Sequence, residues 1–222
     1  MQHRRERILR TARELLASGG FEALSLRELA RQAEVTVPTI YNLVGNKEEV
    51  LVALFAQAIG EIEARMRAAP AAEPLTLAEA VVEQSTGLFA EDENFYRAAF
   101  LAVEALDQAG AHPDKVARLF AAGEALIRAG VDACRAAGLL RGRLPANAQA
   151  ELFLRGFRTN CRSWAFGHLD IANFRRTALA DLYVTLAADA VETFQAQLAR
   201  RIAGFQQEAR TGIPKNSNTR KA

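Results

Sequence analysis

Apolar residues recur along this chain with the period of a helix, and that recurrence limits the folds open to it. Ile8, Ala12, Leu15 and Leu16 fall at i, i+4, i+7 and i+8, one stripe of an amphipathic helix. The spacing returns in Leu26, Leu29, Ala30 and Ala33, and again in Val50, Leu51, Leu54, Phe55 and Ile59. No segment alternates apolar and polar residues with period two between turns, as a half-buried strand requires. Ala and Leu dominate a composition that is 50% hydrophobic with six prolines, a mix that favours helix. An all-α fold with a sizeable core is expected.

Capping and breaking residues divide the pattern. Gly19-Gly20 stops the first helix, because Gly accepts the left-handed conformation that ends one. Ser25-Leu26-Arg27-Glu28 reads as a capping box opening a second helix. A short turn, Glu34-Val35, leads to Thr36, which caps a third helix over 37–43 with Pro38 tolerated in its first turn. Asn46 with Glu49 caps a long helix to about 68, and 69–74 is the clearest break. Thr76-x-x-Glu79 reads as a further capping box, and Asp92 as the cap of the next helix. A helix from 113 to 137, a loop over 138–145, a helix over 146–166 and one long last helix over 170–208 complete the pattern. The expected organisation is a helix-turn-helix head over 1–46, a larger helical body over 47–208 and a disordered basic tail over 209–222.

Charge is unevenly spread. Residues 1–50 carry eight Lys/Arg and seven Asp/Glu, and 195–222 carry six and one. The head is therefore not a strongly basic module, and nucleic-acid binding has to rest on where single residues sit. Two helices joined by a tight turn suggest a helix-turn-helix. Val35 and Ile40 plug the gap beneath the third helix, leaving Thr36, Val37, Thr39 and Asn42 outside. Thr and Asn hydrogen-bond base edges, and Val or Thr methyls meet the thymine methyl. Tyr41 and Lys47 suit phosphate oxygens, as do the free N–H groups of the helix starts capped by Ser25 and Asn46, and Arg27 and Pro38 join the candidate DNA-binding residues.

In the body, Phe95, Tyr96, Phe100, Phe120, Phe157 and Trp164 line a cavity or are simply core, with Arg97 and Arg158 beside them as candidate partners for an anionic ligand. Cys134 and Cys161 fit no disulfide or metal spacing, and His3, His112 and His168 are scattered. No metal or cofactor is expected. There is no signal-peptide pattern and no apolar run of about 20 residues, so a cytoplasmic protein without membrane contact is expected.

Residues 4–55 resemble the N-terminal domain of the TetR family of bacterial transcriptional regulators. The resemblance lies in Gly20-Phe21, Leu26-x-x-Leu29-Ala30, Val35-Thr36 and Ile40-Tyr41, followed by Lys47-Glu48-Glu49-Val50-Leu51. Beyond that quarter of the chain it is architectural. It implies a three-helix DNA-binding head on a larger helical ligand-binding and dimerisation domain. It further implies a third helix that reads double-stranded operator DNA, Tyr and Lys positions that hold phosphates, a homodimer through the two C-terminal helices, and a small-molecule effector among the middle helices. Two departures stand out. Glu34 replaces the usual turn Gly, and Leu43-Val44 replaces the usual aromatic near the end of the third helix. No Gly-rich phosphate loop, nucleophile elbow or paired metal ligands point to an enzyme. The competing reading is a helical interaction scaffold with a degenerate helix-turn-helix.

Overall fold

The computed structural model describes residues 1–68 and 73–211, with side chains to residue 205. Among the described residues it holds ten α-helices and no strand beyond one isolated bridge. The first four are α1 (Gln2–Ala23), α2 (Leu26–Gln32), α3 (Val37–Leu43) and α4 (Lys47–Ala68). The body continues with α5 (Pro74–Glu91), α6 (Glu93–Gln108), α7 (Pro113–Ala136), α8 (Ala146–Ala165), α9 (Ile171–Ala187) and α10 (Glu192–Thr211).

The local signals act largely as expected. Gly20 takes φ 69° and ψ −168°, which ends the regular part of α1. Asn46 and Glu49 form a reciprocal capping box: Glu49 N–H donates to Asn46 Oδ1 at 2.8 Å and Asn46 N–H to Glu49 Oε2 at 2.9 Å. Ser25 Oγ accepts from Glu28 N–H at 3.1 Å, but the Glu28 carboxylate turns to Arg31 and Gln32, so that box is half formed.

Two expectations are corrected. The helix expected to open at Thr76 begins at Pro74 instead. Glu79 is drawn into the core, where Oε1 accepts from Tyr183 Oη at 2.6 Å and Arg201 Nη1 at 2.8 Å. The single helix expected over 170–208 is two, broken at 188–191. Asp189, 2% exposed, accepts from Gly142 N–H at 2.9 Å and Arg143 N–H at 3.0 Å, while its carbonyl accepts from Arg141 N–H at 2.7 Å. Val191 N–H donates to Leu139 carbonyl at 2.9 Å. The 138–145 loop thus takes backbone groups that a continuous helix would have used. Helix α10 runs to Thr211, past the expected start of the tail at 209, and residues 212–222 lie outside those described, as do 69–72 of the expected break.

The body packs α5, α7, α8 and α9 against one another, with α4 and α6 between it and the head. Helices α5 and α7 cross so closely that a Cβ on Gly130 would sit 2.5 Å from Ala78 Cα. No described helix is long and apolar enough to cross a membrane.

The turn after α2 is a Schellman closure. Val35 N–H donates to Ala30 carbonyl at 3.0 Å and Glu34 N–H to Arg31 carbonyl at 3.4 Å. Glu34 occupies the left-handed position, with φ 51°. Its Cβ is a steric liability there that Gly would lack. Glu34→Gly is expected to raise unfolding stability by about 1 kcal/mol, read as a higher urea midpoint at unchanged slope.

Candidate functional site

Helices α2 and α3 meet at an angle set by one plug. Ile40 is fully buried under α3, with Val35 half-buried beside it. Thr36 Oγ1 accepts from Thr39 N–H at 3.3 Å and lies 2.9 Å from Thr39 Oγ1, so the two hydroxyls are pre-oriented at the start of α3. Thr36, Pro38, Tyr41 and Asn42 are exposed, and Val37 and Thr39 half-buried. The Tyr41 side chain stands out into solvent at 55% exposure, unusual for a large aromatic without a protein partner. Ser25 and Arg27 are exposed at the start of α2. Lys47, at the start of α4, holds its ammonium 4.1 Å from the Phe21 ring centre.

The start of α4 is also tied to the body. His112 Nε2 lies 2.8 Å from Glu48 Oε2, and Lys115 pairs with Glu49. The Lys115 ammonium, helped by the Asn46 N–H, holds the Glu49 carboxyl below the usual range.

The body holds a partly open apolar cavity of about 90 Å³ between α4, α5, α6, α7 and α8. Of the residues expected at a ligand site, Tyr96, Phe100, Phe120, Phe157 and Arg158 line it. Phe95, Arg97 and Trp164 are not among its lining. Phe95 packs under the Arg13 guanidinium, whose carbon is 4.2 Å from its ring centre. Trp164 is fully buried and stacks on Phe89 at 5.1 Å, and Arg97 covers the Trp164 ring while pairing with Glu93 at 2.8 Å. Helix rotation aims these three side chains at neighbouring helices. Phe55, Ile59 and Ile62 of α4, with Phe89 of α5, complete the wall and were not anticipated. Phe55 and Ile59 belong to the apolar stripe already legible on α4, Ile62 continues it by one turn, and nothing in the sequence singled out Phe89.

Polar atoms around the cavity are already bonded. Ser85 Oγ donates to Val81 carbonyl at 2.6 Å. The Arg158 guanidinium stacks on Phe120 at 3.7 Å and donates to Glu104 Oε1 at 2.6 Å and Asp107 Oδ2 at 2.8 Å. Burial pushes the Cys161 thiol well up, so it faces the cavity neutral. The space therefore suits hydrocarbon, because an ion placed there would find no free counter-charge.

This fold defines a helix-turn-helix protein whose head is carried on a larger helical body. Residues 8–54 match the family described as bacterial regulatory proteins, tetR family. It is 31% identical over 121 residues to the HTH-type transcriptional repressor KstR of Rhodococcus jostii (strain RHA1), covering 53% of this chain and 56% of that one. It is 34% identical over 92 residues to the fatty acid metabolism regulator protein of Bacillus subtilis (strain 168), covering 39% and 46%. The matches thus span about half the length of these curated relatives. In fold it is similar to the crystal structure of Thermus thermophilus FadR, a TetR-family transcriptional repressor in complex with lauroyl-CoA, at TM-score 0.67 and 21% identity over 85% of this chain and 96% of that one.

Glu49 sets an acid limit on the start of α4. A carboxyl whose folded pKa lies below its unfolded value contributes stability above the unfolded value, near pH 4.3. That contribution is lost as pH falls through the depressed folded value. Urea midpoints of the wild type and Glu49→Gln are expected to differ most at neutral pH and to converge as pH falls through that depressed value.

Proposed function

We propose that this protein is a sequence-specific transcriptional regulator, a repressor that binds operator DNA in the cytoplasm as a homodimer and is released by a small apolar effector. The observation that carries this reading is the outward face of α3, where Thr36, Val37, Thr39 and Asn42 stand over a plug of Ile40 with Tyr41 more than half exposed. Its fit to a major groove is a matter of shape and donor chemistry. Tyr41 and Lys47 hold phosphates, with Ser25, Arg27 and Pro38 flanking them. A cation over an exposed ring is worth roughly 0.5–1 kcal/mol, whereas a charge-assisted hydrogen bond is worth about 1.5–3. Lys47 therefore exchanges the Phe21 ring for a phosphate when DNA arrives.

Helices α8 and α9 are the dimer surface in this reading. Leu152 and Val184 stand 59% and 61% exposed on them, large apolar side chains with no partner in one protomer. Only the first half of the expected last helix takes part, since α10 folds back onto α9 with Phe205 stacked on Tyr183 at 5.9 Å.

The effector site is the cavity, with Tyr96, Phe100, Phe120, Phe157 and Arg158 in its wall. Ligand sites usually measure roughly 300–1,000 Å³, so an occupant has to part the helices around a space of about 90 Å³. The bonded polar rim calls for a hydrocarbon chain inside and any charged group outside. A fatty acyl thioester meets that description, and the acyl-CoA bound to the Thermus relative supports it. Helix α4 runs from Lys47 to the cavity wall at Ile62, so parting the helices moves the head. The effect on DNA cannot exceed the ligand's difference in affinity for the two arrangements.

Lys47→Met is expected to weaken binding to every sequence and to lower the salt slope by about 0.9, while Asn42→Ala changes base preference. DNA titrations at several salt concentrations read both. An unchanged slope and affinity in Lys47→Met would overturn the docking.

A further inference from the structure

The cavity and the head meet at a cluster of side chains apart from the α4 backbone. Tyr96 of α6 lines the cavity and is 3% exposed. The guanidinium carbon of Arg13, on α1, lies 5.1 Å from the centre of the same ring. Arg13 Nε donates to Asp92 Oδ2 at 3.1 Å, and Asp92 Oδ1 caps α6 by accepting from Phe95 N–H at 3.3 Å. The Tyr96 hydroxyl donates to Glu61 Oε2 of α4 at 3.5 Å. Burial pushes the phenol up to about 12, so the hydroxyl stays a donor at physiological pH. One junction therefore joins α1, α4, α6 and the cavity wall.

The Tyr96 ring is hemmed in. Phe89 lies 5.0 Å away and Phe95 4.8 Å away, with Arg13 over the ring as well. Interiors this closely packed do not absorb a displaced ring locally, so its neighbours move with it. Phe95 is a buried core residue, whereas the Arg13 side chain is about one-third exposed, at 30%, and has room to follow. Helix α1 in turn packs on α2 and α3.

We propose that Arg13 is a positioning residue that carries occupancy of the cavity, through Tyr96 and Asp92, to α1 and so to the helix-turn-helix. The proposal rests on the cavity being the effector site. Helix α4 supplies a continuous covalent route. Helix α1 also packs directly on α6, and within that contact Arg13 supplies the polar link from Asp92 and Tyr96 to α1, which one substitution removes while leaving the cavity wall intact.

Gly123 provides a test that needs no identified ligand. It lines the cavity on α7, and a Cβ there would meet only Leu154 Cδ1, at 3.9 Å. A larger side chain at 123 grows into the space as a tethered occupant. Gly123→Leu and the milder Gly123→Val are made with Arg13 and with Arg13→Met, closing a double-mutant cycle. The readout is affinity for a duplex selected by the wild type from a random pool, with thermal melting as the control for folding. Filling the cavity is expected to weaken DNA binding about fivefold or more with Arg13 present, within the usual range of coupling between sites, and less than about twofold in Arg13→Met. Arg13→Met alone is expected to leave DNA affinity unchanged. Equal losses in both backgrounds overturn the proposal. So does the absence of any loss in a filled variant that melts like the wild type, or a loss from Arg13→Met by itself. If Gly123→Leu does not fold, Gly123→Val decides. A parallel titration with lauroyl-CoA separates the two readings. Failure to release the wild type from DNA, beside an intact cycle, removes the acyl thioester and keeps the Arg13 route. Equal release of wild type and Arg13→Met removes the route and keeps the ligand.

Discussion

Helix α6 is buried against the head on one side and against the body on the other, and both sites depend on that double burial. Its first turn receives Arg13 of α1 at Asp92, Phe95 and Tyr96. Tyr96 and Phe100 form part of the cavity wall. Toward its end Glu104, with only 5% of its side chain exposed, holds Arg158 and Arg162 of α8. A carboxylate that deeply placed has to keep its cations, because removing one partner of a buried pair costs about 3–5 kcal/mol. The helix is clamped at one end by the head and at the other by a helix of the proposed dimer surface.

The cavity has a cost that α6 and its neighbours sustain. Were the space of about 90 Å³ sealed and empty, about 24 cal/mol per Å³ would put the packing forgone at no more than roughly 2 kcal/mol. A scaffold selected only for stability would fill it, and a Leu or Val at position 123 would begin to do so. Gly123 sits in a helix interior, where Gly is also about 1 kcal/mol less favourable than Ala.

The head was largely legible in the sequence because its signals are local. Caps act over three residues, so Ser25, Thr36 and Asn46 could be read without knowing anything distant. Glu34 stood out against the usual turn Gly, and its φ of 51° bears that out. The cavity was half legible. Tyr96, Phe100, Phe120, Phe157 and Arg158 were picked out as aromatics and their charged neighbours, but so were Phe95, Arg97 and Trp164, which face other helices. Composition can nominate such residues, whereas only the rotation of each helix about its axis sorts them.

The sequence by itself determined the helical class, the positions of most helix starts and the helix-turn-helix, since hydrophobic period and capping depend on residues within a turn or two of each other. Tertiary structure alone decided the rest. The break at 188–191 has no Gly or Pro to announce it, and arises because Asp189 meets backbone N–H groups 46 and 47 residues earlier in the chain. Glu79 read as a capping residue but became a core acceptor, since its partners Tyr183 and Arg201 lie 104 and 122 residues further on. The junction of Arg13 with Asp92 likewise spans 79 residues. Such contacts exist only once helices distant in the chain have packed, and no local pattern encodes the angle at which they do so.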